Sequence, residues 1–592
     1  MKRKNLLAIL MTGMVLGIGT TGCSAGTTGA LEGADKIEEN ADEAGDTDTA
    51  SASTVANSSI DTTTIGAVTS VSQLDLENMF TSRDVDTGYD ESSSAKITLN
   101  GDEVSVSGNG VAADGCVITI SSEGTYIFEG TLNDGQIVVA AGDSDKVQIV
   151  LNGVTITNDD GPCIYVQSAD KVFVTLADDS ENTLSDTGAE YVQSDDSSNV
   201  DGVIFSKDDI TFNGAGTLTV NAGYANGIVG KDDVKFTGGT INVTATGNAI
   251  EGKDSVRIKN GSFNLVAGND KDGIHSSNAE EEGKGYIYIE GGDFNIAAKD
   301  DGIHAETVLY ICGGNINVTE SYEGLEGDTV DILGGTINVV SSDDGINASS
   351  NTAQDESGFG NMGFMGNDEN AYIHIYGGTI NIDASGDGID SNGSLYVDGG
   401  EITVAGPTND GNGPLDKGGD ALISGGTVIA VGSSGMAETF GSDSEQYSVK
   451  YGFESTLSEG TEIVITDSNG EVLLDYTLTK DASSLVYSSE ALTKGEYTIT
   501  AGDFTDTITL SDDKSVSAGK ETGMMGGPGG FPGGETGENG ERPEFKEGEM
   551  PELPEGVEFK EGEMPQPPEG MEFKEGERPE FPGGDSSENS SN

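Results

Sequence analysis

The sequence predicts an all-β protein: a right-handed parallel β-helix with an N-terminal β cap and a small C-terminal antiparallel, sandwich-like β domain. The prediction rests on a repeated stretch, clearest in DGIHAETVLYICGGNINV from Asp301 to Val318, in which an acidic residue, Gly and an aliphatic residue precede two alternating strands separated by Gly-Gly. Gly302, Gly324 and Gly345 follow one another at intervals of 22 and 21 residues, a period typical of solenoids. Each repeat holds three short strands and no helical pattern, so it is expected to form one three-sided coil.

The composition limits the possible partners. The 592 residues include 28 Lys and Arg against 104 Asp and Glu, a net charge of −76. Such a charge disfavours binding to nucleic acid or to an anionic membrane surface. No Trp is present, so Tyr would have to supply any flat platform for a sugar ring.

The N-terminus predicts a surface-anchored protein. Residues 1–23 have the charged start and apolar run of a signal peptide, and Gly22-Cys23 resembles a bacterial lipoprotein processing site. Cys23 is the predicted lipidation site, which places the chain on the extracellular face of the cell membrane; ordinary secretion is the alternative. The predicted regions are 1–23 signal peptide, 24–80 disordered tether, 81–200 N-terminal β cap and first rungs, 201–441 regular rungs, 442–512 small antiparallel β domain and 513–592 disordered acidic Gly/Pro-rich tail.

The strand before Gly-Gly predicts a binding surface. Equivalent positions of successive coils stack, and alternation assigns them to the inside or the outside. The predicted ligand-binding residues occupy the outward position and form a column that is cationic at one end and aromatic at the other: Lys235, Arg257, Tyr288, Tyr310, His374 and Tyr396. Sugar faces could stack on the tyrosines; the alternative is that Tyr simply suits an exposed sheet.

The strand after Gly-Gly carries a second polar column. Stacked amides can hydrogen-bond along the axis, which favours a structural role, with polar contacts to sugars as the alternative. The amides belong to Asn242, Asn264, Asn295, Asn317, Asn338 and Asn381.

The acidic turns predict metal binding. Carboxylates stacked one coil apart repel unless a cation lies between them, and hard oxygen ligands suit Ca²⁺. Zinc is less favoured because His275 and His304 lie among carboxylates with no Cys nearby, and turn formation before Gly is the alternative to any metal. The predicted calcium ligands are Glu251, Asp272, Asp301, Glu323, Glu326, Asp344, Asp387 and Asp390.

A short column of lysines next to Asp residues consists of Lys207, Lys231 and Lys253. Ion pairing with the neighbouring aspartates is one interpretation. A general base for β-elimination from a uronate polymer is the other.

These pieces together resemble a known family. ITLNGDEVSVSGNGV, GTYIFEGTLNDGQIVV, LNGVTITNDDG, the KDD/GGTINVTA/DGI repeats and LTKGEYTI are similar to the carbohydrate-binding, calcium-containing parallel β-helix family of bacterial surface lipoproteins. That family is similar in fold to calcium-dependent pectate lyases. The resemblance implies calcium and binding to cellulose or pectic polysaccharide, and it supplies no catalytic residue.

Three functions follow as hypotheses. The first is a non-catalytic surface lipoprotein that binds cellulose or a pectic glycan along a calcium-stabilised β-helix. The second is a calcium-dependent polysaccharide lyase with one of the three lysines as base. The third is a structural or adhesive surface protein whose acidic tail contacts the partner.

Overall fold

A computed structural model describes residues 74–193, 199–350 and 367–520. The predicted signal peptide, Cys23, most of the predicted tether and the tail beyond residue 520 lie outside these ranges. The described residues form 42 strands and one 3-10 turn, Leu76–Asn78, which confirms the all-β prediction. None of their helical segments is long and apolar enough to cross a membrane.

Three parallel ladders of short strands form the body of the protein, as expected for a parallel β-helix. Each strand pairs with its equivalents one coil before and one coil after, and neighbouring coils are separated by the strand spacing of about 4.8 Å. Strands β7, β23 and β25 are long enough to serve two ladders. The β-helix prediction is therefore confirmed.

The first ladder begins after the acidic turns, and its strands are β4 (Val117–Ile120), β6 (Gln136–Ala140), β8 (Ile164–Ser168), β11 (Gly202–Ser206), β14 (Asn226–Gly230), β17 (Ile250–Gly252), β20 (Ile274–Ser276), β23 (Ile303–Ile311), β25 (Leu325–Ile332), β27 (Ile346–Ala348), β30 (Ile389–Ser391) and β33 (Leu415–Lys417). The second ladder lies before Gly-Gly and contains β5 (Gly124–Leu132), β7 (Lys146–Asn158), β9 (Lys171–Leu176), β12 (Ile210–Gly214), β15 (Asp233–Phe236), β18 (Ser255–Ile258), β21 (Tyr286–Ile289), the ends of β23 and β25, β28 (Tyr372–Ile375), β31 (Ser394–Val397) and β34 (Ala421–Ile423). The third ladder follows Gly-Gly and contains the end of β7, β10 (Glu181–Asp186), β13 (Thr217–Ala222), β16 (Thr240–Ala245), β19 (Ser262–Val266), β22 (Asp293–Ala297), β24 (Asn315–Glu320), β26 (Thr336–Ser341), β29 (Thr379–Ala384), β32 (Glu401–Ala405) and β35 (Thr427–Gly432).

One continuous apolar core fills the coils. Alternate residues of every ladder point inward, so that β16 shows the burial pattern of a strand with one apolar face. Phenylalanines stack along the axis: the Phe212 and Phe236 rings lie 4.9 Å apart, and the Phe263 and Phe294 rings 4.7 Å apart. The stacking follows from the repeat, because one inward position recurs at the same place in each coil.

The second Gly of each Gly-Gly pair turns the chain between the second and third ladders. Gly314 has φ +106°, a conformation that side chains with a Cβ rarely adopt. A Cβ there would lie 2.8 Å from the carbonyl oxygen of Gly292, which is the equivalent position one coil earlier.

The two ends of the β-helix are covered by antiparallel pairs. At the N-terminal end β1 (Ala95–Gly101) pairs antiparallel with β2 (Glu103–Ser107), and β3 (Val111–Asp114) pairs antiparallel with β4. Strand β1 also pairs in parallel with β5 and so continues into the ladder.

At the C-terminal end β35 pairs antiparallel with β39, and a separate four-stranded antiparallel sheet packs beside it around its own apolar cluster. Strand β42 pairs in parallel with β36, so the predicted disordered tail does not begin at residue 513. The strands of this part are β36 (Ser448–Leu457), β37 (Glu462–Asp467), β38 (Val472–Thr477), β39 (Ala482–Ser488), β40 (Gly495–Ala501), β41 (Phe504–Leu510) and β42 (Ser515–Gly519).

Candidate functional site

The acidic turns form a ladder of side-chain to backbone hydrogen bonds. The backbone N–H of each turn residue donates to a side-chain oxygen of its equivalent one coil earlier: Asn248 to Asn226 at 2.8 Å, Asp272 to Asn248 at 3.0 Å, Asp301 to Asp272 at 3.1 Å, Glu323 to Asp301 at 3.1 Å and Asp387 to Asp344 at 2.6 Å. Each of these residues therefore fastens two coils together. This structural use explains the choice of Asp and Asn and leaves one oxygen of each aspartate for other contacts.

In the middle of this edge the remaining oxygens meet two histidines. His275 and His304 occupy the same register position on β20 and β23, and their rings stack 4.9 Å apart. The Nδ1 atom of His304 lies 3.3 Å from both Asp301 Oδ2 and Glu326 Oε2, and the Nδ1 atom of His275 lies 3.4 Å from Asp272 Oδ2. We call Asp272, Asp301, Glu326 and the two histidines the histidine cluster.

Further along the same edge the donors are oxygens alone. Asp344, Asp387 and Asp390 each place a carboxylate oxygen within 4.8 Å of the others. Asn347, which is 8 % exposed, occupies the register position beside Asp390. Its Nδ2 donates to Glu323 Oε2 at 2.8 Å, whereas no donor among the described residues reaches its buried Oδ1. We call these three aspartates and Asn347 the oxygen cluster.

The electrostatics of the oxygen cluster are unbalanced. Burial, together with the neighbouring carboxylates, raises the pKa of Asp344 to about 6 and that of Asp387 to about 7. The pKa of Asp390 is raised by the same two causes. Carboxylates this close hold protons near neutral pH unless a cation takes the place of the protons.

In the histidine cluster the carboxylates act on a group whose charged form is a cation. Burial opposes a charge on His304, but Asp301 and Glu326 overcome that effect and raise its pKa to about 10. Although burial alone would raise the pKa of Asp301, the contact with His304 holds it below its usual value. Burial raises the pKa values of Glu323 and Glu326.

Two predicted calcium ligands lie outside these close groups. Glu251 accepts hydrogen bonds from the amides of Asn248 at 3.2 Å and Asn226 at 3.4 Å, and its Oε1 lies 3.6 Å from Lys231 Nζ. Glu323 joins none of the trios of possible ligands among the described residues. The structure thus brings together six of the eight predicted ligands, in two separate groups.

The predicted ligand-binding column is not an open surface. Its side chains point away from the core as expected, but Lys235, Tyr288, Tyr310 and His374 are each at most 5 % exposed. Arg257 and Tyr396 are partly buried. The expectation of an accessible column is therefore wrong.

The cover over the cationic and tyrosine part of the column is the segment of residues 74–86, which we call the strap. Met79 packs in one buried cluster with Tyr288 and Tyr310, and the Phe80 ring lies 6.2 Å from the Tyr288 ring. Arg257 Nη1 donates to the carbonyl oxygen of Met79 at 3.4 Å. Residues 74–80 had been assigned to the predicted tether, and that assignment is wrong for them.

The strap is fixed at its other end by a buried carboxylate. Asp84 is fully buried, and its Oδ1 lies 2.7 Å from Lys171 Nζ and accepts a hydrogen bond from Thr211 at 2.9 Å. Although burial acts in the opposite direction, the interactions with Lys171 and Thr81 lower the pKa of Asp84 to about 2. The guanidinium of Arg83 lies 4.7 Å from the centre of the Phe173 ring.

The cations of the column are paired internally as well. Asp233 Oδ2 lies 2.7 Å from Arg257 Nη2 and 3.2 Å from Lys235 Nζ. At the opposite end His374 Nε2 lies 2.8 Å from Asp398 Oδ2, and the His374 ring stacks on Tyr376 at 3.8 Å. The charged groups of the column are thus paired within the protein, although His374 Nδ1 is buried without a hydrogen-bond partner among the described residues.

The amide column on the third ladder, by contrast, is accessible. Asn264, Asn295 and Asn381 are exposed and Asn317 is half-buried. Asn264 donates to Asn242 at 2.8 Å, Asn317 to Asn295 at 3.0 Å and Asn381 to Asn338 at 3.0 Å. A shallow depression runs over this face between β19 and β26. The amides thus form three hydrogen-bonded pairs across neighbouring coils, and each pair has one exposed member.

The three lysines do not form one site. Lys231 is ion-paired with Glu251, the ammonium of Lys207 lies 5.9 Å from the centre of the Tyr165 ring, and Lys253 is exposed. Of the three possible bases, Lys231 is thus already paired with a carboxylate.

The strap is the feature that sequence reasoning missed. Its signal is the short apolar group Leu74, Leu76, Met79 and Phe80 at the end of an otherwise polar segment. Such a group needs a partner surface, and the tyrosine column of the same chain is one.

Part of the chain is similar in sequence to known proteins. A family model described as "Carbohydrate-binding domain-containing protein" matches residues 114–359, about two-fifths of the chain. A "Carbohydrate-binding domain-containing protein" of Acetivibrio thermocellus is 42 % identical over 154 residues, which are 26 % of this chain and 53 % of that protein. The chain thus spans about half the length of this curated relative.

Among solved structures, a "polysaccharide lyase-like protein from C. thermocellum", in a gadolinium derivative, shares 41 % identity over 38 % of this chain and 91 % of that one. The TM-score is 0.37, too low to add structural support. Residues 114–359 are similar in sequence to carbohydrate-binding domain-containing proteins. This range holds the whole histidine cluster but only Asp344 and Asn347 of the oxygen cluster.

Proposed function

We propose that this protein binds polysaccharide, either cellulose or a pectic, uronate-containing glycan, along its β-helix at the cell surface. The match of residues 114–359 to the carbohydrate-binding family model carries the proposal. The regular coils support it, because they present the same polar group at each step of about 4.8 Å, and a polymer offers its hydroxyls at regular steps too.

The amide column is the surface we assign to the polymer. Its exposed amides can donate and accept hydrogen bonds, and the depression between Asn264 and Asn338 runs along the axis. The lysine and tyrosine column could take a polymer only after the strap had left it. If a ligand replaced the strap, its binding free energy would have to offset the loss of the buried Asp84–Lys171 pair, since breaking such a pair is costly.

Calcium is part of the proposal. The oxygen cluster fits the ion, because it offers three carboxylates and one buried amide oxygen that lacks a donor among the described residues, and Ca²⁺ binds six to eight oxygens. Bound there, calcium would neutralise carboxylates on two successive coils. We therefore expect it to stabilise the coils on which the polymer lies.

Binding is tested by retention of the full-length chain on cellulose and on polygalacturonate, each with calcium and with chelator. The double variant Asn295→Ala/Asn317→Ala should lose most of the retention. The control Asn469→Ala, on an exposed turn of the C-terminal sheet, should bind like the parent. Retention of the double variant equal to that of the parent would overturn the assignment to the amide column, and no retention on either polymer would overturn the function.

The strap provides a second arm of the same experiment. Asp84→Asn should loosen the strap and leave retention unchanged if the amide column is the binding surface. Increased retention in this variant would instead assign the polymer to the tyrosine column.

A lyase activity has no specific support from the site. Incubation with polygalacturonate would produce an unsaturated, ultraviolet-absorbing product if one of the three lysines acted as base. We expect no such product, and its appearance, with loss in Lys231→Ala or Lys253→Ala, would replace binding by lysis as the main function.

The membrane anchor is likewise a proposal. If Cys23 carries lipid, the chain should fractionate with membranes, and Cys23→Ser should release it into the medium. Release of the parent chain would favour ordinary secretion.

A further inference from the structure

The histidine cluster sets imidazole nitrogens beside carboxylate oxygens, a donor set that calcium does not prefer. The three contacts from imidazole Nδ1 to carboxylate oxygen measure 3.3, 3.3 and 3.4 Å. A charge-assisted hydrogen bond is shorter, about 2.7–2.9 Å. Two ligands of one tetrahedral ion with bonds of about 2.0–2.2 Å lie about 3.3–3.5 Å apart. The observed spacing is that of ligands around a shared ion.

The donor atoms converge from three successive coils. Register places His275, His304 and Glu326 at the same position of β20, β23 and β25. Asp301, His304 and Glu326 offer ligand atoms within 4.8 Å of one another, and Asp272, His275 and His304 form an adjoining trio. His304 belongs to both trios and is thus the centre of the group.

A second observation points to a ligand. The Nε2 atom of His275 is shielded from solvent, and no hydrogen-bond partner among the described residues satisfies it; its nearest acid, Glu306, is 3.7 Å away. An unsatisfied buried nitrogen is costly. The carboxylates of Asp272 and Asp301 are almost fully buried, whereas His304 and Glu326 keep about a fifth of their side-chain surface exposed, which leaves a path for an ion.

We propose that the histidine cluster binds one divalent transition-metal ion, of which Zn²⁺ is the type, at His304 with Asp301 and Glu326 as ligands and His275 and Asp272 beside them. Imidazole nitrogen is a preferred ligand of such ions and not of calcium. The absence of Cys does not count against the site, since His and carboxylate sets also hold zinc. One edge of the β-helix would then carry two metal sites of different selectivity. The histidine cluster offers nitrogen and oxygen ligands, and the oxygen cluster around Asp390 offers oxygen ligands alone.

The chain allows a direct test because it contains only three histidines, and the third, His374, lies in another ladder against Asp398. Co²⁺ is added to the full-length protein in the presence of millimolar calcium, and visible absorption reports coordination. We expect one equivalent of Co²⁺ to bind and to give the visible absorption bands of a site of low coordination number. Zn²⁺ should displace the bound Co²⁺. His304→Gln should weaken binding at least about tenfold, while His374→Gln and Asp390→Asn should bind like the parent.

The histidine resonances of the parent protein provide a readout that needs no variant to fold. One equivalent of Zn²⁺ should shift the ring signals of two histidines and leave the third, assigned with His374→Gln, unchanged. The proposal is overturned if Co²⁺ binds the parent no more tightly than His304→Gln, if millimolar calcium displaces it, or if Zn²⁺ moves none of the ring signals. Binding that is lost in Asp390→Asn and kept in a folded His304→Gln would place the ion in the oxygen cluster and also overturn it.

Discussion

Substitution of Asp84 should release the strap. Its carboxylate is fully buried and pairs with Lys171, whose side chain is 10 % exposed, so Asp84→Asn leaves a buried ammonium without its main partner. Breaking a buried pair in this way costs about 3–5 kcal/mol. Because Asp209 lies 3.8 Å from the same ammonium and can replace part of the interaction, we expect a loss of about 2–4 kcal/mol.

The pKa of Asp84 gives a second figure for the stability that Asp84→Asn should lose. The folded value of about 2 lies below the ordinary value of 3.8, which corresponds to about 2–3 kcal/mol. Because the folded pKa is depressed, this stabilisation is present above about pH 4 and disappears as the pH falls toward 2. The difference between Asp84→Asn and the parent should therefore be full at pH 7.

Trypsin supplies the assay, because Arg83 lies inside the strap and its chain must leave the surface to be cut. If opening is fast relative to cleavage, the rate follows the population of the open strap, and 2–4 kcal/mol corresponds to about 30- to 1,000-fold faster cleavage after Arg83. Asp86→Ala is the matched control, since it removes the partner of an exposed pair with Arg83 worth less than about 1 kcal/mol. Equal cleavage of both variants would refute the account of the strap.

Three further outcomes follow from the fold. Without calcium, thermal stability should fall as the pH rises from 5 to 8, because the raised folded pKa values of Asp344 and Asp387 favour the protonated folded state at low pH. Added calcium should therefore raise the Tm more at pH 8 than at pH 5. An equal rise at both pH values would count against the oxygen cluster. Phe263→Ala should cost about 3–5 kcal/mol in urea unfolding because two ring contacts are lost, and a loss below about 1 kcal/mol would contradict the stacked core. Gly314→Ala should destabilise by about 1–3 kcal/mol, whereas Gly313→Ala, where a Cβ meets its nearest atom at 3.6 Å, should be nearly neutral; equal effects would exclude the role assigned to the turn.

The coils could be predicted from the sequence because one repeat encodes both the period and the alternation. The outward direction of Tyr288 and Tyr310 could be predicted because the apolar residues on either side of each tyrosine in its strand point inward. The structure confirms that these rings point away from the core. The burial of these rings could not be predicted from the repeat, because a repeat describes only contacts between neighbouring coils. The strap comes from residues 74–86, and its contact with Thr211 joins positions 127 residues apart.

The acidic turns show a similar limit. Their residue types predicted oxygen donors, and the register brings most of them together. The sequence could not separate the histidine cluster from the oxygen cluster, because that division depends on which oxygen of each aspartate is used by the next coil's N–H. Asp301 Oδ1 accepts a hydrogen bond from the backbone N–H of Glu323, and Asp301 Oδ2 faces His304; this division is visible only in three dimensions.

The central claim, a calcium-stabilised β-helix that binds polysaccharide, is tested most directly by thermal unfolding of the full-length chain with chelator, with calcium, and with calcium plus polygalacturonate. We predict a rise in Tm that depends on calcium concentration, as expected for a ligand that binds the folded state, and a further rise with the polymer. Unchanged Tm in calcium would contradict the metal site in the oxygen cluster. Unchanged Tm with polygalacturonate and with soluble cellulose fragments alike would contradict polysaccharide binding.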